Sequence, residues 1–138
     1  MGASPGSDLH QAYRLLRAGR FSEARAICEA SMKASRKNPL LYAILGELAE
    51  TNGQLDEAAR HYQKSIKLDP KQFMTHIALG QTRTYQGRYP EAITSLKRAL
   101  RLKSNSPHAV AALADTYDKQ GRPEEAEALI QPFLDRDE

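Results

Sequence analysis

Four histidines, one cysteine and a few adjacent carboxylates are the side chains in this sequence equipped for chemistry, and their spacing gives them little to do it with. His10, His61, His76 and His108 lack partners one helical turn away that would form a metal pair. There is no Cys-x-x-Cys, no glycine-rich phosphate loop and no serine-nucleophile elbow. The neighbouring acids Asp56-Glu57 and Glu124-Glu125 fall where helices would begin. Carboxylates there serve the positive end of the helix dipole rather than acid–base catalysis. The single cysteine, Cys28, excludes a disulfide within the chain and reads as a packed thiol. The expectation is therefore no enzyme, no cofactor and no metal site, and function must come from the surface.

The elements that carry this surface follow a fixed period. Gly19, Gly53, Gly87 and Gly121 stand 34 residues apart. Each is followed five residues on by an alanine (Ala24, Ala58, Ala92, Ala126), with a glutamate just before it (Glu23, Glu57, Glu91, Glu125). Each is preceded seven residues earlier by a small residue, Ala12, Gly46, Gly80 or Ala114. Such a period marks a stacked repeat array. Within one period, Tyr42, Leu45, Gly46, Leu48 and Ala49 lie ahead of Gly53, and Leu55, Ala58, Ala59, Tyr62, Ser65, Ile66 and Leu68 behind it, spaced three and four apart. That spacing predicts two amphipathic helices reversing at Asn52-Gly53. Gly46 and Ala58 let them approach, while Leu45, Leu55, Tyr62 and Leu68 fill the space around the contact.

Prolines mark helix starts: Pro39 and Pro107 behind the capping residues Asn38 and Ser106, and Pro90 and Pro123 at the second helices. Pro132 falls inside the last helix and is expected to kink or end it. Arg83 stands where other units have Leu15, Ala49 and Tyr117, its stem along the seam and its charge toward water. With 138 residues, 41% hydrophobic, 27% charged and no tryptophan, the chain fits a single helical module. No apolar run reaches membrane-spanning length, and a soluble, cytoplasmic protein is expected.

Small residue, glycine, alanine, large apolar residue and then Leu68-Asp69-Pro70 resembles the tetratricopeptide repeat, across nearly the whole chain. The resemblance implies an all-α fold, a right-handed superhelical solenoid of four helix-turn-helix repeats and eight helices. The repeats would occupy about residues 5–38, 39–72, 73–106 and 107–138. The family's large aromatic near the start of each unit is Asp8, Tyr42, His76 or Val110 here, so the end units are the least typical, and His76 reads as a packing residue. Residues 1–7 read as a flexible leader or cloning remnant, ahead of a domain at 8–138. Asp8 would cap the first helix, and Phe21, Ala24, Ile27, Cys28 and Ser31 would face inward from the second. The helix that in this family commonly covers the last repeat has no counterpart, so Ile130, Phe133 and Leu134 are expected to be partly exposed. The expectation is either a segment of a longer protein or self-association at that end.

In the family, the first helix of every unit lines a concave face that binds peptides. Transferred to this sequence, the lining is Leu9, Tyr13, Leu16 and Arg17; then Leu40, Ala43, Ile44, Glu47 and Thr51; then Met74, Ile77, Ala78, Gln81 and Tyr85; then His108, Ala111, Ala112, Asp115 and Lys119. This describes an apolar trough with a polar fourth unit. Two readings stay open: a groove for a partner's apolar segment or helix, or residues drawn into the core by tight curvature. The variant of the family that clamps the C-terminal carboxylate of heat-shock chaperones does so with lysines, asparagines and an arginine. Those places hold Leu9, Tyr13, Ile44, Met74 and Ala78, or, one unit on, Ala43, Glu47, Ala78, His108 and Ala112. No acidic chaperone tail is expected.

The net charge of +3 comes with lysines and arginines grouped on second helices and turns, among them Lys64, Lys67, Lys97, Arg98 and Arg101. A solvated face is the plain reading, and RNA the weaker rival, because RNA-reading helical repeats have a different period and lack this glycine and alanine pattern. The resemblance thus implies a non-catalytic scaffold for a protein or peptide partner. The alternative is a substrate-positioning or oligomerisation segment of a larger protein, an enzyme among the choices.

Overall fold

The computed structural model describes residues 5–135. Among them are eight helices and no strand: α1 (Pro5–Arg17), α2 (Phe21–Ala34), α3 (Pro39–Thr51), α4 (Leu55–Leu68), α5 (Phe73–Tyr85), α6 (Tyr89–Leu102), α7 (Pro107–Lys119) and α8 (Pro123–Asp135). They group into two compact units, one through Pro70 and one from Lys71. Each unit contains two helix hairpins, α1/α2 with α3/α4, and α5/α6 with α7/α8.

The hairpin turns are built alike. Gly53 has φ +74°, a left-handed conformation that side chains resist. Its N–H reaches the Glu50 carbonyl, and the next N–H, of Gln54, reaches back to Ala49 at 2.9 Å. This pair of bonds satisfies two carbonyls orphaned at the end of α3. The turns at Gly19, Gly87 and Gly121 repeat it. At the helix starts, Asn38 accepts a hydrogen bond from the Leu40 N–H and Ser106 from the Ala109 N–H, as caps do.

Close approach within the hairpins explains the small residues. A Cβ added at Gly46 would stand 2.4 Å from the Tyr62 ring, and one at Gly80 would stand 2.5 Å from the Leu96 side chain. In α1 the matching residue is Ala12, which keeps its methyl and shares a core with the smaller Cys28. That core of the first unit also holds Leu9, Leu16, Leu41, Ile44 and Leu48; the second unit's holds Ile77, Leu96, Leu113 and Tyr117. Two buried hydroxyls find backbone partners, Ser65 donating to the Pro39 carbonyl and Tyr42 to the Arg36 carbonyl, which ties down the α2–α3 link.

Several expectations change. Helix α1 begins at Pro5, inside the stretch read as a leader, so Asp8 lies in its first turn rather than at its cap; Met1–Ser4 are outside the described residues. Helix α8 runs through Pro132 to Asp135. The lost N–H falls on an exposed side, where water can serve the freed carbonyl. Phe21 and Leu68 are exposed rather than inward. Ile130 and Leu134 are exposed as expected, with Phe133 half-buried. No described helix is long and apolar enough to cross a membrane.

Replacing Gly46 with alanine tests the close contact. Gly46→Ala is expected to lower stability by a net ~1–2 kcal/mol, because overpacking outweighs the helix-propensity gain. In a chain carrying Tyr62→Leu the same replacement should cost measurably less in a denaturant melt.

Candidate functional site

The residues first considered for chemistry are dispersed. Cys28 is fully buried, and burial pushes its thiol up to about 11. His76 is buried in α5, while His10 and His108 are exposed on α1 and α7. His61 does have a partner one turn back: its Nε2 lies 3.7 Å from Glu57. Burial lowers the His61 pKa, with Glu57 opposing. Among the described residues no group of three or more potential metal ligands assembles.

The geometry that does assemble lies on the first helices, α1 beside α3 in one unit and α5 beside α7 in the other. The same repeat position holds Tyr13, Glu47, Gln81 and Asp115, and the position one turn later holds Arg17, Thr51, Tyr85 and Lys119. Residues four apart share a helix face, so each first helix presents one such pair.

In the first unit, Arg17 donates from Nε and Nη2 to the Tyr13 hydroxyl at 3.0 and 2.9 Å, with its guanidinium carbon 4.9 Å from the ring centroid. The same Nη2 donates to Glu47 Oε1 at 3.3 Å across to α3. Hydrogen bonding to Tyr13, then the charge of Glu47, raises the Arg17 pKa. Glu47 responds differently: burial pushes its carboxyl above the usual range, and Arg17 offsets only part of that. Deeper in, burial and then the carboxylates Glu50 and Glu47 push the Tyr62 phenol upward, so it stays neutral.

In the second unit, Lys119 donates to Asp115 at 3.0 Å and holds its ammonium 5.3 Å from the Tyr85 ring centroid on α5. Beside them opens a recess of about 240 Å3 lined by Gln81, Thr84, Tyr85, His108, Ala111, Ala112 and Asp115. The hydroxyl of Thr84, one of its lining residues, shares a 2.8 Å hydrogen bond with that of Thr116, joining α5 to α7. Arg83 lies on another side of α5, buried, with Nη1 donating to Gln86 at 3.2 Å and Nε 3.6 Å from Glu91.

The lining expected from the sequence therefore divides. Leu9, Leu16, Ile44 and Ile77 are core, exposed by 6% or less. They lie on the helix stripe that faces the neighbouring helices, and burial there removes them from any trough. Leu40, Glu47 and Gln81 are half-buried, while Tyr13, Met74, Tyr85, His108 and Asp115 are exposed. The uncovered side is aromatic and polar rather than aliphatic. The 34-residue register of Tyr13, Glu47, Gln81 and Asp115 was legible in the sequence as the signal for it.

Residues 9–73 and 84–137 each match a model described as tetratricopeptide repeat. No curated protein sequence matches. Among solved structures, MamA AMB-1 is 26% identical over 93% of this chain and 70% of its own, with a TM-score of 0.76. A chain of the APC/C heterotetramer Cut9-Hcn1 is similar at 22% identity and a TM-score of 0.87, over 93% of this chain and 26% of that one. YrrB, described as a TPR protein with an unusual peptide-binding site, shares the fold at 17% identity and a TM-score of 0.80, over 96% of this chain and 68% of its own.

Because the folded-state pKa of Glu47 is raised, the stability it contributes is full below its unfolded pKa and is lost as pH rises through the folded value. Glu47→Gln is thus expected to leave the melting temperature equal or higher at pH 7, despite removing an ion pair. The difference should vanish below the ordinary carboxylate range in a pH series of thermal melts.

Proposed function

This chain belongs to the tetratricopeptide repeat family, and on that premise we propose that it is a non-catalytic protein-interaction scaffold that takes a peptide or helical segment of a protein partner on the uncovered side of its first helices. The family makes protein-interaction scaffolds, so partners are proteins. The observation that carries the finer reading is the division of the first helices: aliphatic residues are spent in the core, while Tyr13 and Tyr85 stay exposed beside groups that can orient a ligand. Tyrosine with an apolar body and a polar tip is a residue type on which binding energy concentrates. Met74 adds an adaptable apolar contact, 56% exposed on α5. None of the places transferred from the chaperone-tail clamp holds a lysine, an arginine or an asparagine, so a carboxylate-terminal partner is not favoured.

Site-specific photocrosslinking checks this. A photoreactive residue placed at Tyr13, Met74 or Tyr85 is expected to crosslink the partner, and one placed at Ala30, Lys97 or Glu127 on second helices is not. Tyr13→Glu and Tyr85→Glu should each weaken capture about thirtyfold, the scale of a hot-spot loss, with unchanged helicity and melting. Crosslinks from second-helix positions alone would overturn the assignment.

A further inference from the structure

The recess between α5 and α7 has a chemistry of its own. Its lining contains one carboxylate, Asp115, and neither lysine nor arginine. Tyr85, 65% exposed, lines it, and ring faces attract cations. Ala111 and Ala112 leave room rather than fill it, and Gln81 supplies an amide beside the carboxylate. At about 240 Å3 the space falls below the roughly 300–1,000 Å3 of a small-molecule cleft, and suits one long side chain of a larger ligand.

A cation already engages two of the lining residues, Tyr85 and Asp115. Lys119 does not line the recess, yet its ammonium reaches over the Tyr85 ring and onto Asp115. Lys119 and Asp115 are both exposed, so this pair within one helix is weak and readily exchanged. The first unit uses the same three parts, Arg17 against the Tyr13 ring and Glu47.

We propose that the α5–α7 recess receives a positively charged side chain, lysine or arginine, of the docked partner segment, and that Lys119 holds that place until the partner arrives. The inference rests on the docking reading above and gives it a chemical preference. The arriving cation takes over the Asp115 carboxylate and the Tyr85 ring, its aliphatic stem lies on Ala111 and Ala112, and Lys119 is released to water. Lys119 is thus a competitor rather than a contributor, so its removal should strengthen binding, whereas removal of Asp115 should weaken it.

The test is a nuclear magnetic resonance titration of the whole chain with blocked alanine pentapeptides carrying a central arginine, norleucine or glutamate. The arginine peptide is expected to shift the backbone amides of α5 and α7 around Gln81, Tyr85, His108 and Asp115. Lys119→Ala should bind it about two- to fivefold tighter, the scale of an exposed cation–ring contact, and Asp115→Asn should lose most of the binding. Thermal melts of both variants confirm an intact fold, since both side chains are exposed. Equal binding of the norleucine or glutamate peptide, unchanged affinity in Lys119→Ala, or no shift with any peptide would overturn the inference. Equal norleucine binding at α5 and α7 removes only the charge preference and leaves the docking face standing; arginine-peptide shifts confined to α6 and α8 remove both.

Discussion

At Gly46 the backbone of α3 lies so near the Tyr62 ring that a methyl carbon would stand 2.4 Å from it, and at Gly80 the backbone of α5 stands as near to Leu96. Interiors packed at crystal density do not tolerate such an intrusion without moving something else. Everything downstream follows from these contacts. With the helix pair drawn together, the apolar stripe of each first helix is divided between its own hairpin partner and the next hairpin of the unit. Leu9, Leu16, Ile44 and Ile77 are used up there.

What remains on the outside of the first helices is Tyr13 with Arg17 and Glu47, and Tyr85 with Asp115 and Lys119. Charge neutralisation there is local and weak. The half-buried Glu47 is the exception, since burial penalises its charge more than Arg17 relieves it. The Thr84–Thr116 bond joins α5 to α7, and Thr84 is one of the residues lining the second unit's recess.

The fold was legible because it repeats. Glycines at one spacing, small residues seven positions ahead and prolines at helix starts all act locally, and the turn bonds at Gly19, Gly53, Gly87 and Gly121 show them acting alike. The exposed side was less legible, because hydrophobicity identifies a helix stripe without saying which neighbour covers it. Ile44 and Ile77 look like trough residues in the sequence and are core in the structure. Phe21 and Leu68 look like core and are exposed. Pro132 was read by its cost alone, without the exposed setting that lets α8 absorb it.

The central claim is that packing consumes the aliphatic residues Leu9, Leu16, Ile44 and Ile77 of the first helices and leaves Tyr13 and Tyr85 exposed. Hydroxyl-radical footprinting of the unmodified chain, read residue by residue, tests it most directly. Rapid labelling of Tyr13, Met74 and Tyr85 with protection of Leu9, Ile44, Tyr62 and Ile77 is the expected result. Labelling of Ile44 and Ile77 at rates comparable to Tyr85, after allowance for intrinsic reactivity, would contradict it.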